Sequence, residues 1–416
     1  MTVARTVLDN GIVVLSERIP HRVSATVGIW VPAGSRMEDP SENGIGHFIE
    51  HMLFKGTPRR KAADISREIE SVGGSMNACT DREYVFFYAK VLARDFPLAV
   101  DILSDIYRNS VFEETEMERE KGVVLQEILM VEDNPEESLH DFFHRSYWGG
   151  HPLGLPVQGT AGTVAAFSRK KVAGYFRDRF WRRGMILTVV GNLSHEEVVG
   201  KIARALGSLP LGERCQADPP PPPPVRQAFS RSRPIEQLYL CLGAPAVSRS
   251  SDRKPAALVL NTLLGGSMSS RLFQRIREER GLAYSVYSSL SSYSDSGILK
   301  ICVGTTPEKA REVLEVTDGI LAELREGGIA DEEVGMAREL LRGTFLLSLE
   351  NAEFRMSRMA MNEMFLGRVE TPEETLRQLD AVTTDRVREL AGGMLRRECF
   401  SLAAAGALPG DAELRF

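Results

Sequence analysis

The strongest constraint on this chain is that it repeats itself. Residues 170–193, KKVAGYFRDRFWRRGMILTVVGNL, can be laid on residues 385–408, DRVRELAGGMLRRECFSLAAAGAL, at a constant offset of 215. Both read as a helix, an apolar strand and a turn closing on Gly-x-Leu, with Gly191 and Leu193 in one and Gly406 and Leu408 in the other. Upstream, the segment that starts ARDFPLAVDILSDIY resembles the one that starts PEKAREVLEVTDGIL at an offset near 217. In each, an amphipathic helix gives way to a short break and then to a second helix with an acidic first turn. The stretches before them, SMNACTDREYVFFYAKVL and LAYSVYSSLSSYSDSGILKICVG, read as paired strands, since aromatic and β-branched residues alternate with polar ones. Repeats of this size are searched for first because they decide the fold.

Six consecutive prolines, Pro219–Pro224, fall almost at the midpoint. Such a run takes the polyproline II form and spans roughly 19 Å at about 3.1 Å per residue. A chain of 416 residues is also too long for one ordinary core. The expectation is an α+β protein of two homologous α/β sandwich-like domains, each a mixed, mainly antiparallel sheet flanked by helices. They would occupy residues 1–217 and 228–416, with a proline-rich linker at 218–227.

Hydrophobic residues make up 43% and charged residues 26%, the balance of a soluble globular protein, and the net charge of −6 argues against nucleic acid as the main partner. No apolar run approaches the roughly 18 residues of a membrane span. The first twenty residues read as strand, turn at Asp9-Asn10-Gly11 and strand rather than as a leader. Five cysteines, Cys79, Cys215, Cys241, Cys302 and Cys399, are scattered singly, which reads as reduced thiols in a cytoplasmic protein. None adjoins a histidine in sequence, so nothing recommends a cysteine nucleophile.

The chemistry-bearing stretch is GIGHFIEHMLFKGT, residues 44–57. As a helix from about Gly46 to Lys55, capped by Ser41 or Asn43 and closed by a left-handed Gly56, it puts His47 and His51 about one turn apart on one face. That spacing lets two imidazoles share one tetrahedral ion. Glu50 lies on the edge of the same face, within reach of a water on such an ion. The order H-x-x-E-H is the inverted form of the H-E-x-x-H zinc motif. So short a pattern also arises by chance, and a working zinc site needs a third protein ligand with a fourth position left for water. Residues 112–132 read as a helix in which Glu120 and Glu127 stand two turns apart. Glu127, flanked by Val124, Leu125, Ile128 and Leu129, is expected in a buried stretch, where a carboxylate is costly unless it is paired or binds metal.

HFIEH at 47–51, followed 76 residues after His51 by Glu127 in EREKGVVLQEI, resembles the pitrilysin-type (M16) zinc metallopeptidases. More narrowly, the chain is similar to bacterial peptidases akin to the mitochondrial processing peptidase beta subunit. The resemblance implies one zinc per chain held by His47, His51 and Glu127, with Glu50 as general base and Glu120 supporting the site from outside. It implies that GGSMNACTDREYVFFY supplies an edge strand on which Asn77 and Ala78 contact an extended peptide by strand addition. It also implies a clam-like shape, with two chains pairing around a chamber that admits oligopeptides or unfolded, presequence-like segments. The expected function is therefore zinc-dependent endopeptidase action by a homodimer, with no nucleic-acid or membrane partner. The alternative is a non-catalytic processing or assembly subunit that keeps a zinc site and works with a partner chain.

The second half contains no histidine, and at the 217 offset Thr344 stands where the first half has Glu127. Only one half is expected to carry the chemistry. In RLFQRIREERGLAYSV the resemblance assigns Arg277 and Tyr284 to the substrate, as donors that hold a developing oxyanion. Arg280 and Tyr287 share the same spacing, and on sequence alone Arg277 reads equally as a helix surface charge and Tyr284 as a packed strand residue. A second i, i+4 histidine pair, His140 and His144 in HDFFH, lacks an evident third ligand in sequence and reads as a helix packing segment.

Overall fold

The computed structural model describes residues 3–182, 184–213, 221, 226–408, 414 and 416. The linker expected at 218–227 lies largely outside the described residues. The chain divides into two compact units, Met1–Leu129 with Leu155–Pro219 and Leu347–Pro372, and Met130–Gly154 with Pro220–Leu346 and Glu373–Phe416.

The first unit is built on a six-stranded sheet of β1 (Val3–Val7), β2 (Val13–Arg18), β3 (Ser24–Val31), β4 (Ser75–Thr80), β5 (Val85–Leu92) and β6 (Ile186–Gly191). Their order is β1-β2-β6-β3-β5-β4, antiparallel throughout except for the parallel pair β2–β6. The second unit carries β7 (Ala228–Ser232), β8 (Leu238–Pro245), β9 (Ala283–Ser292), β10 (Gly297–Thr305) and β11 (Ser401–Gly406), in the order β7-β11-β8-β10-β9. Here too one pair, β7–β11, is parallel and the rest are antiparallel. Strand for strand the second sheet repeats β2-β6-β3-β5-β4, and β6 and β11 keep the 215-residue offset read from the sequence. The repeat is therefore one of topology as well as of pattern.

Helices follow in chain order as α1 (Ile45–Leu53), α2 (Ala62–Glu70), α3 (Phe96–Asn109), α4 (Glu114–Asp133), α5 (Pro135–Trp148), α6 (Ala161–Ala165), α7 (Arg169–Tyr175), α8 (His195–Leu206), α9 (Lys254–Leu264), α10 (Ala310–Arg325), α11 (Asp331–Ser348), α12 (Ala352–Leu366), α13 (Pro372–Asp380) and α14 (Thr384–Met394). One face of the first sheet buries Val27, Ile29 and Val31 of β3 against Phe48, Ile102 and Ile106. The other face places Trp30, Leu15, Ile186 and Val190 against Met356, Met359 and Ala360 of α12. The second sheet likewise has two covered faces, one of them packed by Leu139, Phe143 and Tyr147 of α5. Burial on both sides explains why β6 and β11 are buried at every position instead of alternating.

The packing units differ from the contiguous halves read from the sequence. Helix α5, from the first half, packs on β8 and β11, whereas α12, from the second, packs on β3 and β6. Each sheet has a second apolar face to cover, and an apolar helix stripe does not encode which sheet it will meet. Two glycines permit the exchange at equivalent positions, 28 and 243, again 215 residues apart. A Cβ on Gly28 would lie 2.8 Å from Met356 Sδ, and one on Gly243 would lie 2.3 Å from Phe143 Cζ. Both approaches are closer than real Cβ contacts come, so a larger residue at either position would force the helix side chain above it to shift.

Candidate metal centre

Helix α1 buries Ile45, Phe48, Ile49, Met52 and Leu53 and leaves His47, Glu50 and His51 on its other face. Its start differs from expectation. Neither Ser41 nor Asn43 caps it; the cap position is Gly44, left-handed at φ 89°, which has no side chain to offer. The buried carboxylate of Glu38 takes the free N–H groups instead: Oε1 accepts from Gly46 N at 2.8 Å, and Oε2 from Gly44 N at 2.7 Å. The amide of Asn43 adds a third donor at 3.0 Å. Gly46 eases this contact, since a Cβ there would stand 3.0 Å from Glu38 Oε1 and press on the carboxylate. The helix also stops earlier than expected, at Leu53 with Phe54 as its C-cap, so Gly56, at φ 139°, lies in the turn beyond it and does not close it. The loop before α1 is fixed by the buried pair Arg36–Glu83 at 2.9 Å.

The structure brings His47, His51 and Glu127 together, each offering a ligand atom within 4.8 Å of the others. Glu127 Oε2 lies 3.7 Å from His47 Nε2 and 3.5 Å from His51 Nε2. A tetrahedral zinc with bonds of about 2.0–2.2 Å sets such donors about 3.3–3.4 Å apart. The residues therefore fit the ion with a small contraction. Burial, with His51 second, pushes His47 down to about 4, so its imidazole is neutral and keeps a lone pair for a metal. Its Nδ1 is buried without a hydrogen-bond partner.

Glu127 corrects one expectation: its side chain is 41% exposed, and Leu129 beside it is also exposed. The buried stripe of α4 runs through Met117, Glu120, Val124 and Ile128, which leaves Glu127 at its margin. The buried acid is Glu120, at 5%. It accepts from His51 Nδ1 at 2.8 Å and pairs with Lys55 Nζ at 2.5 Å. Burial alone would raise its carboxyl, but His51 and Lys55 outweigh that and hold it below the usual carboxylate range. This contact fixes His51 with Nε2 turned toward Glu127, the outer support that metal-bound imidazoles ordinarily have.

Glu50 has its carboxyl raised, first by burial, against the lowering effect of the Thr80 hydroxyl, which donates to Oε2 at 2.5 Å. Thr80 ends β4, the edge strand expected from SMNACT, and β4 packs against α1. Asn77 is exposed on that strand and Ala78 half-buried, with Asn77 Oδ1 accepting from Ala78 N at 2.8 Å. Three contributors escaped the sequence reading. Thr80 was within the strand already singled out, and Lys55 lies one turn beyond His51, but Glu38 precedes the helix in a loop that carries no local signal.

In the second unit Arg277 and Tyr284 meet each other. Arg277 lies within a π-helical turn at Phe273–Glu278, and its guanidinium lies 4.6 Å from the centroid of the Tyr284 ring, which is 82% exposed. Of the competing pair, Arg280 faces Glu312, and the Tyr287 hydroxyl donates to Glu136 at 2.8 Å. The stacked pair is thus half-buried Arg277 with exposed Tyr284.

Residues 13–161 match the family described as insulinase (peptidase family M16), and residues 166–341 match the peptidase M16 inactive domain. An uncharacterized zinc protease of Streptomyces coelicolor is 38% identical over 98% of this chain and 90% of its own length. The uncharacterized zinc protease YmxG of Bacillus subtilis is 38% identical over 94% of this chain and 95% of its own. Among solved structures, a peptidase M16 inactive domain from Pseudomonas fluorescens superposes with a TM-score of 0.93 at 19% identity, covering 100% of both chains. A protease from Helicobacter pylori follows with a TM-score of 0.91 at 20% identity, covering 97% of this chain and 99% of that one. At those identities the structures establish the fold, and the closer sequences establish the kinship. With its H-x-x-E-H helix and distal glutamate in place, this chain belongs to peptidase family M16.

Proposed function

We propose that this protein is a zinc-dependent endopeptidase that hydrolyses oligopeptides or unfolded segments. The observation that carries the reading is the convergence of His47, His51 and Glu127 on one point, with Glu50 on the same helix face and tied to Thr80. Zinc at that point would acidify a water toward about pH 7 and polarise the scissile carbonyl. Glu50 takes a proton from the attacking water and delivers it to the leaving amine. Its burial keeps the carboxyl basic enough for that work. Glu120 holds His51 in one tautomer and orientation. The open edge of β4, with Asn77 and Ala78, would bind the substrate as an added strand. Arg277 and Tyr284, stacked on each other in the second unit, are donors suited to a substrate carbonyl.

A zinc-retaining, non-catalytic subunit is the second reading, prompted by the inactive-domain match. That match starts at residue 166, however, and leaves the complete donor set and Glu50 outside it. The test is cleavage of a quenched peptide by wild type and by Glu50→Gln, with bound zinc measured in both. Glu50→Gln should lower turnover by about 10²–10⁴ with zinc retained. Turnover unchanged by the substitution and by a chelator would refute the peptidase assignment.

A further inference from the structure

One member of the second i, i+4 histidine pair, His140, meets two thiols in the folded chain. Helix α5 lies on the second sheet, close at Gly243, and its His140 stands beside a pair of thiols. Cys241 on β8 and Cys302 on β10 are direct cross-strand partners with Sγ atoms 3.6 Å apart, and both are buried. One ring nitrogen of His140 and the two sulfurs lie within 4.8 Å of one another. Two thiolates on a tetrahedral zinc, with Zn–S bonds of about 2.3 Å, stand about 3.8 Å apart. The sulfurs are therefore already at the separation a shared ion requires, and only the imidazole has to close in.

The surroundings are organised around that point. Tyr287, which pairs with Cys302 across β9 and β10, has its hydroxyl 2.9 Å from His140 Nε2 and donates to Glu136 at 2.8 Å. Lys300 Nζ lies 3.5 Å from His140 Nδ1 and 3.3 Å from His144 Nε2. The charges decide between soft ions. Two thiolates and half-buried Glu136 carry three negative charges and Lys300 one positive, so a divalent ion balances these groups and copper(I) does not. We propose that His140, Cys241 and Cys302 form a second zinc site in the second unit of the chain, with three protein ligands and the fourth position left to water. The site clamps α5 to β8 and β10, and it shares no residue with the His47–His51–Glu127 centre.

The two centres differ in ligand chemistry, which separates their tests. Metal-stripped protein is titrated with cobalt(II) and the near-ultraviolet absorption followed, because a sulfur-to-cobalt charge-transfer band requires thiolate ligands and the first centre has none. Wild type should show the band and bind about two zinc ions per chain. Cys302→Ser and His140→Ala should each reduce this to about one, with the band lost or strongly weakened. Should Cys302→Ser fail to fold, the wild-type spectrum and the partly exposed His140→Ala variant still decide. A wild-type chain that binds one zinc and shows no charge-transfer band overturns the proposal, whether thiol titration then finds the pair free or joined as a disulfide. Loss of peptidase activity in Glu50→Gln with the band intact would leave this site standing by itself.

Discussion

Glu38 is the side chain on which the start of the metal-binding helix depends, and its burial makes the dependence measurable through pH. Its carboxyl is pushed up to about 7 by burial, despite donors from Gly44, Gly46 and Asn43 that favour the charged form. In the unfolded chain it titrates near 4.5. Between those values the folded state holds a proton that the unfolded state releases, so stability is full below about pH 4.5 and falls as pH rises to 7. The loss amounts to about 3 kcal/mol and is complete above that range. Glu38→Gln removes the titration. Its amide nitrogen can be turned toward Gly46, which leaves one N–H without an acceptor at a constant cost of about 1–3 kcal/mol. The variant should therefore be less stable than wild type at pH 4.5 and equal or exceed it at pH 8. Urea unfolding across pH 4.5–8 at fixed ionic strength measures the two curves. Parallel curves would show that Glu38 does not carry its proton into the folded state, and the reasoning from burial would fail.

Two further changes probe the site and its frame. Glu120→Gln removes the charged acceptor of His51 Nδ1 and should weaken zinc binding at the first centre about 10- to 100-fold in a chelator competition. Unchanged affinity would reduce Glu120 to a partner of Lys55. Arg60→Met removes the guanidinium that pairs with Asp105 at 2.8 Å, and the Asp105 side chain is wholly buried on α3. Burial raises that carboxyl, but Asn109, Arg60 and Thr57 together hold it below the ordinary aspartate value. Leaving it uncompensated should cost about 3–5 kcal/mol by urea unfolding at pH 7. The deficit should shrink as pH falls through the aspartate range, because protonated Asp105 no longer needs the partner. A deficit that is constant with pH would assign the loss to packing alone.

The α+β class and its duplication were legible because helices and paired strands recur in the same order at a near-constant offset, whereas the strand order was not, since strands buried on both faces, such as β6 and β11, carry no alternation. His47, Glu50 and His51 were legible because one helix carries them and helical geometry is local. Glu127 was singled out by its apolar neighbours and by the family resemblance, but its burial was misjudged: apolar neighbours in sequence do not all lie on one side of a helix. Met117, Glu120, Val124 and Ile128 do, and they turn Glu127 outward. Contacts between distant segments were beyond reach for a related reason. The cap from Glu38 depends on how a loop folds back, and the meeting of Cys241 with Cys302 depends on a register between strands about sixty residues apart.

The exchange of α5 and α12 is the clearest case, and its cause can still be located in the sequence once the fold is known. Gly28 and Gly243 occupy the same place in the two sheets, each under a side chain of the helix contributed by the opposite half. A glycine inside a strand weakens it, so two such residues at a repeat offset need a reason. Close approach of a helix supplies it. The exchange therefore belongs to what the two halves have in common, whereas their chemistry does not: oxygen and nitrogen ligands gather on α1 and α4 in one unit, and sulfur gathers beneath α5 in the other. The shared glycines position helices, and the residues that differ around them determine what each unit can hold.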